Sequence, residues 1–506
     1  MQIKKGIGKW SLFALGWSCV LSFGGSAFGA QIENGKIDTS KKVEISWHFA
    51  GNGEEEDTEK VEAAINNYIE KYTDLNCTLK LNCMDWVNYY GKMPAKIASG
   101  ESFDICFTSS WINDYYSHYT AFWNLDEALP LYAPKTKAML GEDFLNGAKI
   151  NGKLYAIPNN GKKGEQYGLI VREDIVKKYK MDLSKVRTLE DMRPFFTTIK
   201  KQEPDIAPLL GNSSESGLTL LPYQSILPYE YLPGAVKRDS LDYKVINQYT
   251  SEEMIAYYRL MRKYYLEGLV KERSPFYTWD YSWDYEDEYM EGKFFAAVET
   301  LDPERLQVLE RIYGYKYISV PLTKPYMQTE NSTSSMHAIS KTSKYPERAL
   351  MLLEQVNIDP QLNNLINFGI EGLHYEIVGK NGTIKIIRGT ENEEAYNPGI
   401  GWVFPNRLLN HLYVFEDLNI WKKVQAFNNQ MIPSRLLGFN FDSSPVADEV
   451  EACKHVFNNY GPRLEAGVID PDIYVPIMQK EFKEAGVEKI IAEMQRQLDE
   501  WRSIVK

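Results

Sequence analysis

The chain has 506 residues, room for two large domains or about three of ordinary size. Apolar residues make up 44% and charged residues 25%, a globular balance that excludes a mostly disordered chain, a collagen-like repeat and a multispan membrane protein. Lys and Arg number 57 against 69 Asp and Glu, a net charge of −12, and such a chain lacks the cation surplus that nucleic-acid phosphates demand.

Residues 1–29 read as an export signal. Lys4, Lys5 and Lys9 precede an uncharged stretch from Trp10 to Ala30, and Ala27-Phe28-Gly29 offers small residues for cleavage after Gly29. Lipid anchoring at Cys19 is disfavoured, because Trp17 stands where a lipoprotein signal has a small residue.

Residues 43–49 alternate as a strand, and Val61, Ile65, Tyr68, Ile69 and Tyr72 form a helical stripe. A second alternating strand covers 77–83. Its two thiols, Cys77 and Cys83, are about 20 Å apart along it, too far for a disulfide. A helix interrupted at Pro94 covers 86–99, and Asp104 to Phe107 form a third strand. This β-α-β-α-β opening predicts a parallel sheet, with ligands bound beyond the carboxyl ends of its strands. Further strands are expected at 167–171, 293–298 and 335–340, and helices at 173–180, 189–200, 252–265 and 345–356. One long helical stripe runs from Met478 to Trp501. Cys106 and Cys453 are expected to be buried, so all four cysteines of the exported chain are expected to be free.

The aromatic content, 13% with 34 Tyr and 11 Trp, suits either large cores or a site that stacks rings on flat ligands. No phosphate-binding loop, nucleophile elbow or zinc-protease motif occurs, and none of the six His forms a ligand pair at helical spacing. No metal, cofactor or catalytic residue is indicated. A pair of carboxylates for glycoside hydrolysis, drawn from Asp280, Asp284, Glu286 and Glu299, competes with a solvated surface reading.

Two segments are more specific. Ala98-Ser99-Gly100-Glu101-Ser102-Phe103-Asp104-Ile105 and Asn151-Gly152-Lys153-Leu154-Tyr155-Ala156-Ile157-Pro158 resemble the extracellular solute-binding proteins of ABC importers, in the branch like maltose-binding protein. Val171 to Asp174, Tyr345 to Ala349, Gly369 to Tyr375, Leu437 to Asp442 and the tail from Glu484 are similar to one subgroup. Its members carry a C-terminal region of unassigned function and are often described as oligosaccharide- or aldouronate-uptake lipoproteins. The resemblance covers nearly all of 43–501.

It implies an α/β, two-lobed, periplasmic-binding-protein-like (Venus flytrap) fold with hinge crossovers and a helical C-terminal segment. The first lobe would comprise 43–160 and 330–362, the second 161–329 and 363–506. Crossings are expected near 158–165, 325–333 and 359–366. The implied function is extracytoplasmic capture of an oligosaccharide between the lobes and delivery to a membrane permease, by a monomer. An exported carbohydrate hydrolase or lyase with the same aromatic cleft is the alternative.

Candidate ligand contacts follow the strands and crossings: Trp47, His48 and Asn52; Ser109, Ser110 and Trp111; Tyr155 and Asn159; Trp279, Tyr281 and Trp283; Glu299; Glu371, His374 and Tyr375; and Trp402. Aromatic faces with amide and carboxylate partners are what a sugar requires.

Overall fold

The computed structural model describes residues 39–111, 114–210, 217–227, 232–271, 292–378, 383–386 and 395–505, with 32–33 and 36–37. Residues 1–38 form a unit of their own, in which Ile32–Glu33 pairs antiparallel with Lys36–Ile37. The export signal lies outside the described residues. Among those described, no helix is long and apolar enough to cross a membrane.

Residues 39–506 are built on two five-stranded sheets. In chain order their strands are β1 (Val43–Gly51), β2 (Cys77–Asp85), β3 (Ile105–Thr108), β4 (Ala156–Pro158), β5 (Tyr167–Arg172), β6 (Ala207–Leu210), β7 (Val270–Lys271), β8 (Phe294–Thr300), β9 (Tyr317–Pro321) and β10 (Met336–Ile339). The first sheet has the order β2-β1-β3-β10-β4 and the second β7-β6-β8-β5-β9.

In the first sheet β1 is parallel to both β2 and β3, as the opening pattern predicts. The returning strand β10 is antiparallel to β3 and β4. Alternation places Val43, Ile45, Trp47 and Phe49 in the core, where they meet Val61, Ile65 and Ile69 from the helix Thr58–Tyr72. The helix Trp86–Ala98 runs unbroken through Pro94, because Tyr89, Met93 and Ile97 bury one stripe along its length. In the second sheet β6 is parallel to β7 and β8, and β5 is antiparallel to β8 and β9.

Each sheet has its own core, and the cores revise the expected lobe boundaries. Leu362, Ile366, Tyr396, Ile400, Val403 and Phe404 pack with the first sheet, so the chain does not leave that lobe near 359–366. The third connection lies instead at about 428–434. There Ile432–Pro433 pairs in parallel with Tyr326–Met327 of the second connection, and Tyr326 bridges to Glu165 of the first. The three connections thus meet in a small sheet of their own.

From Leu436 onward the chain builds the second core. Phe439, Phe441, Val456, Phe457, Met478, Phe482, Ile490, Met494 and Leu498 pack with Val236, Tyr249 and Tyr258. The single stripe expected at 478–501 is two helices, Pro471–Glu484 and Val487–Ile504. Gly486, at φ +90°, sits between them in a conformation that costs a side-chain-bearing residue energy and so ends the first helix. Cys77, Cys83, Cys106 and Cys453 form no disulfide, as expected. Burial pushes the thiols of Cys77 and Cys83 up to about 11 and that of Cys453 up to about 12, so they stay protonated.

Candidate functional site

The carboxyl end of the parallel strands carries a group of tryptophans. Trp86 follows β2 directly and opens the helix Trp86–Ala98, whose first turn is capped by the Asp85 side chain accepting from the Asn88 N–H. Trp111 lies three residues past β3 and is 42% exposed. Trp402 arrives from the loop that returns across the sheet end. The Trp86 and Trp402 rings stack, with centroids 5.5 Å apart and planes 8° from parallel. Trp111 tilts against both, at 5.8 Å from Trp86 and 6.2 Å from Trp402. Tyr90, one helical turn after Trp86, adds an exposed ring 6.4 Å from Trp111. Phe107 lies beneath, edge-on to Trp86 and Trp402.

The Trp111 ring and the main chain of Trp402 are held by hydrogen bonds. Trp111 Nε1 donates to the Ser334 carbonyl at 2.7 Å, and the Ser110 N–H donates to the Thr333 carbonyl at 2.9 Å. The Thr333 hydroxyl donates to Ser110 Oγ at 3.0 Å. Asn159 Nδ2 donates to the carbonyls of Trp402 and Val403 at 3.1 and 2.8 Å. The result is an aromatic surface on which Trp111 and Tyr90 face solvent and Trp86 and Trp402 are half-buried, suited to stack on the apolar face of a sugar.

Several residues expected to touch ligand serve the core instead. Trp47 is fully buried, edge-on to His337 and Phe404, because it points inward on an alternating strand. His48 is buried against Phe103, and desolvation lowers its pKa to about 4. Ser109 is fully buried. Glu299 is fully buried at the end of β8 and paired with the Arg305 guanidinium through two contacts of 3.1 Å. His374 is a buried pin: Nδ1 accepts from the Ile370 N–H at 2.9 Å, and Nε2 meets Asp57 at 3.2 Å. Tyr375 is buried beside Phe368.

The remaining candidates divide. Asn52 holds a neighbouring loop through the carbonyls of Asn397 and Pro398. Tyr155 is half-buried, edge-on to Tyr119 at 5.2 Å. Glu371 is exposed, in a bridge to Tyr375. Trp279, Tyr281 and Trp283 lie outside the described residues. Of the expected set, Ser110, Trp111, Asn159 and Trp402 come together. Trp86 and Tyr90 were not among the sequence candidates, although the rule that pointed to the ends of the first and third strands applies equally to the second. Among the described residues, no group of three or more His, Cys, Asp or Glu could hold a metal ion.

Comparison with known proteins gives three findings. Residues 435–503 match the domain of unknown function DUF3502. The chain is 25% identical, over 97% of its length and 98% of the relative, to a carbohydrate ABC transporter substrate-binding protein of Streptococcus pneumoniae serotype 4. Its fold is similar to the crystal structure of the N-glycan transport solute-binding protein NgtS of S. pneumoniae, with a TM-score of 0.72, 23% identity, and coverage of 91% of this chain and 99% of that one. Against NgtS in complex with Man1GlcNAc the TM-score is 0.61, at the same identity and coverage. The two-lobed α/β architecture is therefore that of solute-binding proteins.

Proposed function

We propose that this chain, with a solute-binding-protein fold and a DUF3502 segment, is the extracytoplasmic binding component of an ABC importer for an oligosaccharide. The observation that carries the reading is the stacked Trp86–Trp402 pair with Trp111 tilted against it, at the carboxyl end of the first sheet. An aromatic pair of this kind contributes about 0.5–1.5 kcal/mol beyond the area it buries, which holds the platform together. A sugar laid across them would be met by the second lobe as the hinge closes, and the closed form would be what a permease recognises. ATP hydrolysis belongs to other subunits, consistent with the missing phosphate-binding loop.

The full-length relative is a carbohydrate-binding transport protein, and NgtS has been crystallised with Man1GlcNAc and Man5GlcNAc, which supports sugars as the ligand class. Those relatives are binding proteins rather than enzymes, and export across the cytoplasmic membrane agrees with their role and with the N-terminal sequence.

The test is a thermal-shift screen over oligosaccharides that includes Man5GlcNAc, followed by calorimetry and by chromatography of the recovered glycan. A ligand at 100 times its Kd adds about 2.7 kcal/mol of stability. Binding with the glycan recovered intact is expected. Shortened glycan products would indicate an enzyme, and no shift with any sugar would sink the carbohydrate reading.

A further inference from the structure

Asn159 was expected to touch ligand, but every polar atom of its side chain is already engaged. Nδ2 donates to the carbonyls of Trp402 and Val403, at 3.1 and 2.8 Å. Those two acceptors fix the orientation of the amide, so Oδ1 faces His337 Nδ1 at 2.9 Å and His337 must donate there. His337 is buried on β10, edge-on to Trp47 at 4.9 Å, so it cannot swing away. The Asn159 N–H donates to the Ser335 carbonyl at 2.8 Å, one residue past the carbonyl that holds Trp111 Nε1. One residue is therefore bonded both to the loop of Trp402 and to the strand entry that fixes Trp111. Asn160 continues the attachment: its N–H donates to the Pro405 carbonyl at 2.6 Å, and its carbonyl accepts from the Arg407 N–H at 3.0 Å. These two residues also open the first connection between the lobes.

We propose that Asn159, oriented by His337, is a positioning residue for the aromatic site: it sets Trp402 in register with Trp86 and Trp111, and it does not contact the sugar. The proposal rests on the reading of these rings as the sugar site, and it adds a mechanism for their spacing. Its physical basis is that only a neutral amide supplies two donors to adjacent carbonyls and an acceptor to the imidazole. An Asp at 159 would face the same carbonyls with lone pairs, and Trp402 would be released from its stack.

The experiment uses the full exported chain with N159A, N159D, W402A and the double variant N159A/W402A. The ligand-free readout is the circular-dichroism couplet of the Trp86–Trp402 pair, defined as the signal that W402A removes. N159A and N159D are expected to lose most of that couplet while keeping a cooperative melt. N159A is expected to weaken Man5GlcNAc binding by about tenfold or more, and to weaken W402A no further, because it acts through Trp402. If N159D does not fold, N159A carries the same comparison without the added charge. An unchanged couplet in N159A, or additive losses of affinity in the double variant, would overturn the proposal. Failure of the wild type to bind Man5GlcNAc or any other sugar would count against the carbohydrate reading, while the couplet still decides the role of Asn159.

Discussion

Trp47 and Trp111 place the same indole in opposite surroundings, one fully buried and one 42% exposed. Trp47→Ala is expected to cost about 3–5 kcal/mol of stability, the cost of emptying a packed aromatic site. Trp111→Ala is expected to leave the melt nearly unchanged and to remove affinity for sugar; calorimetry and melting of the same variants separate the two. The titrating groups add a pH dependence. Burial lowers the pKa of His48 to about 4 and of His337 to about 3, whereas in the unfolded chain both return to about 6.5. Between these values the unfolded state binds more protons, so stability falls as pH drops below about 6.5. Glu330, on the helix Thr329–Thr333, acts in the opposite sense. Burial, with Glu165 adding to it, pushes its carboxyl up to about 7, so folding is penalised progressively as pH rises from about 4.5 to above 7. Glu330→Gln is therefore expected to raise the melting temperature at pH 8 and leave it nearly unchanged at pH 4.5. Equal shifts at both values would refute the assignment.

At the scale of elements, the DUF3502 segment is a wall of the second lobe. Its helices Ala447–Glu465, Pro471–Glu484 and Val487–Ile504 bury Phe457, Phe482, Met494 and Leu498 against residues 236–258 of the same lobe. Residues 435–503 expressed alone are expected to lack a cooperative melt, since the apolar face they turn to residues 236–258 would meet water. Gly486→Ala is expected to cost about 1–2 kcal/mol, because φ of +90° sets a Cβ against the backbone. Periodicity revealed the strands β1 and β2 and the first helix to within about three residues at each end, because a half-buried strand or helix shows its inner face as a repeat, whereas β3, buried on both faces, showed as a short apolar run. It missed the break at Gly486, where the apolar stripe continues across a change of direction. It also missed β6 and β9, short strands whose neighbours in the sheet are distant in sequence. The site was partly legible for the same reason. The ends of the first parallel strands were indicated by topology, while the meeting of Trp402 with Trp86 depends on a fold-back spanning more than 300 residues that no local pattern encodes.

For the whole molecule, the decisive question is how the two sheets move. The connections do not form a loose linker: Glu165 and Tyr326 exchange two backbone hydrogen bonds of 2.8 Å, the Ile432 N–H donates to the Pro325 carbonyl at 3.0 Å, and the Ser434 N–H donates to the Met327 carbonyl at 2.8 Å. Lys163 anchors the first connection in the first lobe, where its ammonium donates to the Met139 and Leu140 carbonyls at 3.0 and 2.8 Å. Three segments tied together in this way are the kind of connection about which a hinge closure turns. Small-angle scattering of the exported chain, with and without a saturating glycan shown to bind by calorimetry, measures the change directly. The radius of gyration is expected to fall on binding and to stay constant for Trp111→Ala at the same glycan concentration. An unchanged radius in the wild type at confirmed saturation would mean that the first lobe binds sugar alone and that the tied connections hold the lobes apart.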